Sequence, residues 1–132
     1  MKKSSMEHIY QDGIIIFRLA GEFTSFILDR LKKEIATQVV DKDVYTVLIN
    51  LDGVEYINSK DLGVFVQIYH YLEGARKDNN PGADSILALT NLSSFVLDIL
   101  EMTKLTTVFN LYDTEEEAIK ALAANTVSAE DS

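Results

Sequence analysis

The chain reads as an α/β domain, because short β-prone apolar runs alternate along it with longer segments whose apolar residues recur at helical spacing. Two further features support that class. Val44 to Leu51 is a nearly continuous β-rich run, the pattern of a strand covered on both faces, and an Asp-Gly pair separates the first two runs. With 132 residues and 47% hydrophobic content, the chain suits one core and one domain.

The elements follow in order. Ile9-Tyr10 and Ile14 to Ala20 flank Gln11-Asp12-Gly13, which predicts an antiparallel hairpin at the start. Gly21-Glu22-Phe23-Thr24 breaks the strand pattern, and Leu28, Leu31, Ile35 and Val39 then predict a first helix packed on the sheet. Val44 to Leu51 is the central strand. After the loop from Asp52 to Ile57, Leu62, Phe65, Val66, Tyr69 and Leu72 define the apolar stripe of a second helix. Gly74 and the Asn79-Asn80-Pro81-Gly82 cluster mark its end and a turn.

Ser85 to Leu89 supplies a further short buried strand, and Leu92, Phe95, Val96, Ile99 and Leu100 place an apolar stripe on a third helix. Met102 to Leu105 is a helix-end turn, and Thr107 to Tyr112 reads as the last strand. Thr114 followed by Glu117 is a capping-box pattern, with Ala118, Ile119 and Leu122 forming the apolar face of a short fourth helix. The domain is expected over residues 6–124, with flexible ends at 1–5 and 125–132. No internal repeat is present.

Several function classes are set aside by composition and motif. There is no cysteine, and His8 and His70 are too few and too separated for a zinc site, so no metal is expected. Neither a GxxxxGK loop nor a GxSxG elbow occurs, so no cofactor and no catalytic residue is assigned. The net charge of -9 repels phosphate backbones, which argues against nucleic acid as a partner. Asp113, Glu115, Glu116, Glu117, Glu130 and Asp131 read as a solvated helix start and a polar tail. No apolar run approaches the roughly 20 residues that cross a bilayer, and no signal-type block follows the first residues, so a cytoplasmic protein without membrane insertion is expected.

Asn58-Ser59-Lys60-Asp61-Leu62-Gly63-Val64 lies where the central strand pattern gives way to the second helix. Unpaired N-H groups in a helix's first turn carry partial positive charge, so a phosphate on Ser59 would meet ready donors there. Asn58 is a good N-cap, and Asp61 is placed to reach back to its backbone N-H. Taken alone, Ser59 is also an ordinary helix-start serine. Among the tyrosines, Tyr56 in the loop before Ser59 is the contact candidate, whereas Tyr69 lies on the core stripe.

The run from Leu48 to Val64, Leu-Ile-Asn-Leu-Asp-Gly-Val-Glu-Tyr-Ile-Asn-Ser-Lys-Asp-Leu-Gly-Val, resembles the signature of the STAS domain, named for sulfate transporters and anti-sigma-factor antagonists. Gly21-Glu22-Phe23 is similar to the family's turn before its first helix, and Leu100 to Phe109 to its segment before the last strand; the resemblance extends from Ile9 to Leu122. It implies a mixed, mainly parallel sheet of about five strands with about four helices, and a phosphorylatable serine that aligns with Ser59. It also implies an anti-sigma factor that is itself a serine kinase as partner, a PP2C-type phosphatase, and regulation by partner switching. Thr24, Tyr56, Asn58, Ser59, Lys60, Asp61 and Gly63 are the expected contact residues. Where the family commonly has Asp-Ser-Ser-Gly, this chain has Asn58-Ser59-Lys60-Asp61; Asn50 and Thr24 stand where acids are usual. The alternative implied by the resemblance is a soluble subunit of an ABC-type membrane transport assembly without a phosphorylation cycle.

Overall fold

Asp12 and Gly13 both take left-handed backbone angles, φ 54° and 78°, the geometry with which a two-residue loop matches strand twist. Strand β1 (Ser5–Gln11) therefore pairs antiparallel with β2 (Ile14–Ala20), in register from Ser5 opposite Ala20 to Gln11 opposite Ile14. The computed structural model describes residues 4–131, except for the side chains of 124–131. Of the ends expected to be flexible, 1–3 and 132 lie outside the described residues, and 125–131 are described in backbone only. Ser5, however, is already paired in β1.

After the hairpin come α1 (Ser25–Lys42), β3 (Thr46–Gly53), α2 (Ser59–Asn79), β4 (Ile86–Thr90) and α3 (Ser94–Met102). A single 3-10 turn (Leu105–Thr107), β5 (Asn110–Tyr112) and α4 (Glu115–Asp131) complete the order. The strands lie in the order β1-β2-β3-β4-β5, with every pair after the hairpin parallel, which puts β3 in the middle as its sequence requires.

Because the strand order advances one step at each crossover, crossovers of the usual right-handed sense carry their helices to the same face. α1, α2 and α3 accordingly share one core with Ile15, Phe17, Val47, Ile49 and Leu51. α4 covers the opposite face, where Ala118 and Leu122 pack on Ile14, Ile16, Leu48 and Ala88. The alternation along β3 explains its continuous apolar run: Val47, Ile49 and Leu51 face one layer and Leu48 the other. Phe65 anchors α2, fully buried between the rings of Phe23 and Phe109 at 5.9 and 6.5 Å.

Four details depart from the sequence reading. Gly74 lies inside α2 on its exposed side, where a β-carbon would meet nothing within 4 Å, so it does not end the helix; α2 stops at Asn79, ahead of Pro81. Ile68, with Leu62, Phe65 and Leu72, completes the buried stripe, and Val66 and Tyr69 sit at its margins. The expected strand from Thr107 is only Asn110–Tyr112, because the 3-10 turn tucks Phe109 into the core first. The fourth helix, expected to be short, is assigned as far as Asp131.

Candidate docking site at the carboxyl edge of the sheet

The loops that follow β2, β3 and β4 gather at the carboxyl ends of the parallel strands, the edge at which open α/β sheets commonly place their sites. Each loop leads into a helix capped by a short polar side chain. Thr24 Oγ1 accepts from Ile27 N (3.2 Å) to start α1, and Ser93 Oγ accepts from Val96 N (3.2 Å) to start α3. At α2 the cap is reciprocal: Asn58 Oδ1 accepts from Asp61 N at 2.8 Å, and Asp61 Oδ2 accepts from Asn58 N at 3.4 Å.

This capping box fixes Ser59 as the first helical residue of α2, exposed to solvent. Lys60 is exposed beside it. Gly63, one turn on and on the same helical face, is exposed as well, and a β-carbon there would meet no atom within 4 Å. Ser59 therefore stands above a bare stretch of helix. Tyr56, Asn58 and Asp61 line an open cleft of about 380 Å³ with Glu22, Phe23, Glu55 and the two glycines Gly21 and Gly53. Thr24 is exposed at the α1 cap and does not line the cleft.

Gly53 permits the close approach that forms the cleft floor. Gly21 N donates to Gly53 O at 3.0 Å, and a β-carbon on Gly53 would lie 2.4 Å from Ala20 Cβ. Gly21 itself has φ 88°, a left-handed conformation that suits glycine.

Two groups of residues at this edge escaped the sequence reading. Phe95, placed there on the apolar stripe of the third helix, instead points outward at 46% exposure and stacks on Tyr56, which is 60% exposed, with ring centroids 5.1 Å apart. Ser93 Oγ also donates to Glu55 O at 3.1 Å, pinning the Tyr56 loop to the start of α3. Periodicity assigned Phe95 inward because Val96 and Leu100 beside it are core residues.

The second group lies on the α4 side of the sheet. Arg18 forms a bidentate pair with Glu115, Nε to Oε1 at 3.0 Å and Nη2 to Oε2 at 2.9 Å, and Asn50 Nδ2 donates to Glu115 Oε1 at 3.1 Å. The hydrogen bond from Arg18, chiefly, holds the Glu115 carboxyl below its ordinary value, against the opposing effect of burial. Asn50 Oδ1 also accepts from Asp52 N at 2.8 Å, so this residue joins α4 to the carboxyl end of β3. A lone arginine within an apolar strand run was the signal available in the sequence, together with the acids opening α4. Tyr69 is also engaged internally, its hydroxyl donating to Glu73 Oε1 at 2.6 Å.

The fold and site define a small α/β domain that presents a serine at the start of its second helix beside an exposed aromatic pair. A family model of the STAS domain matches residues 5–118, and the chain belongs to the STAS domain family. Its structural neighbours are anti-sigma factor antagonists. One from Mycobacterium paratuberculosis superposes with a TM-score of 0.71 at 21% identity, covering 90% of this chain and 93% of the other. The antagonist SpoIIAA in its unphosphorylated form gives 0.72 at 20% identity, covering 92% and 97%. The phosphorylated form of SpoIIAA, a Bacillus cell fate determinant, gives 0.65 at 20% identity, covering 91% and 99%.

Proposed function

We propose that this chain is an anti-sigma factor antagonist that acts by binding a partner protein over the first turn of α2, with Ser59 as its phosphorylation switch. The observation that carries the reading is the position of Ser59: exposed, first in a capped helix, and set between the bare Gly63 face and the cleft lined by Tyr56, Asn58 and Asp61. The partner is an anti-sigma factor that is also a serine kinase, and a PP2C-type phosphatase resets the serine. The chain contributes association and no catalysis.

Phosphorylation adds about -1.5 to -2 charges and three acceptor oxygens. A kinase active site brings a nucleotide's phosphates and a carboxylate to the substrate hydroxyl, so the modified serine meets like charge and must also shed its hydration. The complex separates while the domain stays folded. Lys60, next in sequence, moderates the repulsion between the phosphate and Asp61.

Calorimetry with the cognate kinase tests this reading. Ser59→Asp is expected to weaken association at least about tenfold, in line with burial of an uncompensated charge at an interface, whereas Ser59→Ala retains binding and no longer accepts phosphate. Equal affinity of Ser59→Asp and wild type, or phosphate mapped by mass spectrometry only at other residues, refutes the assignment.

A second reading, phosphorylation-independent docking as a soluble subunit of an ABC-type transport assembly, is favoured by Asp61. Its carboxylate is already committed to the first turn that a phosphate would share. Co-purification with a transport ATPase by a protein that stays unmodified in the presence of the kinase would select it.

A further inference from the structure

We infer that the Tyr56–Phe95 pair and the adjoining cleft form the receptor for an arginine side chain of the partner, so that the docking surface extends from α2 to the start of α3. This rests on the docking reading above and gives the partner's chemistry. The rings of Tyr56 and Phe95 stack with an interplanar angle of 30° at 5.1 Å and remain exposed. An exposed, rigid aromatic surface is the kind of anchor that interfaces favour. Rigidity comes from Ser93, which caps α3 through one hydrogen bond and holds Glu55 O through another.

Charge decides what the surface accepts. Tyr56 is also one wall of the cleft, whose other lining residues include the carboxylate-bearing Glu22, Glu55 and Asp61, and among the described residues no lysine, arginine or histidine lines it. The chain as a whole carries a net charge of -9. A purely apolar partner segment would cover the rings and desolvate the carboxylates of Glu22 and Asp61; an acidic one would be repelled. A guanidinium satisfies both, because its plane stacks on an aromatic face while its N-H groups reach carboxylate oxygens at the edge. A lysine ammonium offers no stacking plane and is more strongly hydrated. Ser59 does not line this cleft, so a phosphate there acts on the neighbouring part of the surface and not on the arginine seat.

The test uses the full-length protein labelled with nitrogen-15 and three blocked tripeptides, acetyl-Gly-Arg-Gly-amide and its lysine and citrulline counterparts, titrated at low salt. The arginine peptide is expected to shift the amide signals of Glu55, Tyr56 and Phe95, to bind about fivefold more tightly than the lysine peptide, and to lose that advantage in Phe95→Ala. Citrulline, which keeps the plane without the charge, shifts nothing. Equal shifts from arginine and lysine spread over the acidic surface, or an arginine response unchanged by Phe95→Ala, overturn the inference. With the cognate kinase, Phe95→Ala should weaken binding about tenfold and Phe95→Tyr should restore it. A kinase that senses Ser59→Asp but not Phe95→Ala refutes the arginine seat and leaves the switch standing. Arginine-selective peptide binding without any kinase association refutes the switch and supports the seat.

Discussion

At Gly53 the backbone of β3 runs so close to the end of β2 that the side chain must be a hydrogen. A β-carbon there would come within 2.4 Å of Ala20 Cβ and 2.8 Å of Ala20 Cα, both parts of a paired strand that cannot swing aside. Gly53→Ala is therefore expected to cost about 1–3 kcal/mol, the range for overpacking a close-packed region. It should also displace the Gly21–Gly53 hydrogen bond on the cleft floor. Urea denaturation measures the loss, and a variant as stable as wild type would show that the approach of the two strands is not tight. Gly63→Ala is the control, because open space surrounds it on an exposed helical face and alanine is the better helix former.

At the scale of elements, α4 is attached to the sheet by its apolar face and by the link from Arg18 and Asn50 to Glu115 in its first turn. The folded carboxyl of Glu115 titrates below its ordinary value of 4.5, so the link's stabilisation is fully present above that value and is lost as pH falls through the lower, folded one. Arg18 is partly exposed, at 39% of its side chain, which reduces the value of the pair to about 1 kcal/mol. Glu115→Gln should be less stable than wild type by that amount at pH 7, with the difference closing as pH falls through the lowered range of the folded Glu115 carboxyl. Urea titrations of both proteins at several pH values check this, and a difference that persists unchanged into acid would assign the effect to packing.

The same elements show what a reader of the sequence could and could not find. Strand runs, helical stripes, the Asp-Gly hairpin and the Asn58–Asp61 cap were all legible because each is set by neighbours within a few residues. Phe95 was misplaced because helical periodicity states that a face is apolar without saying where that face ends, and Phe95 lies at its margin. The Arg18–Glu115 pair spans 97 residues and depends on β2 and α4 meeting across the sheet, which local pattern does not specify. The Ser59 position was legible in the strand-to-helix junction, whereas its aromatic neighbourhood required α3 to be placed beside it.

For the whole molecule, the arrangement separates what holds the domain together from what the proposed switch would alter. Leu62 and Phe65 seat the first turns of α2 in the main core, at 1% and 0% exposure, while Ser59, first in the same helix, stays in solvent. A phosphate on Ser59 gains about 0.3–1 kcal/mol from the α2 N-terminus and loses a comparable amount to Asp61 and to a chain already at -9. The two effects nearly cancel. Stoichiometrically phosphorylated protein is therefore expected to melt within about 4 °C of the unmodified form at 0.15 M salt, since 1 kcal/mol corresponds to only a few degrees for a domain of this size. Backbone amide spectra should change only around residues 56–63. A melting point lowered by about 10 °C or more, or amide shifts reaching β3 and β4, would mean that modification loosens the core, and the switch would then work through the fold instead of through the docking surface.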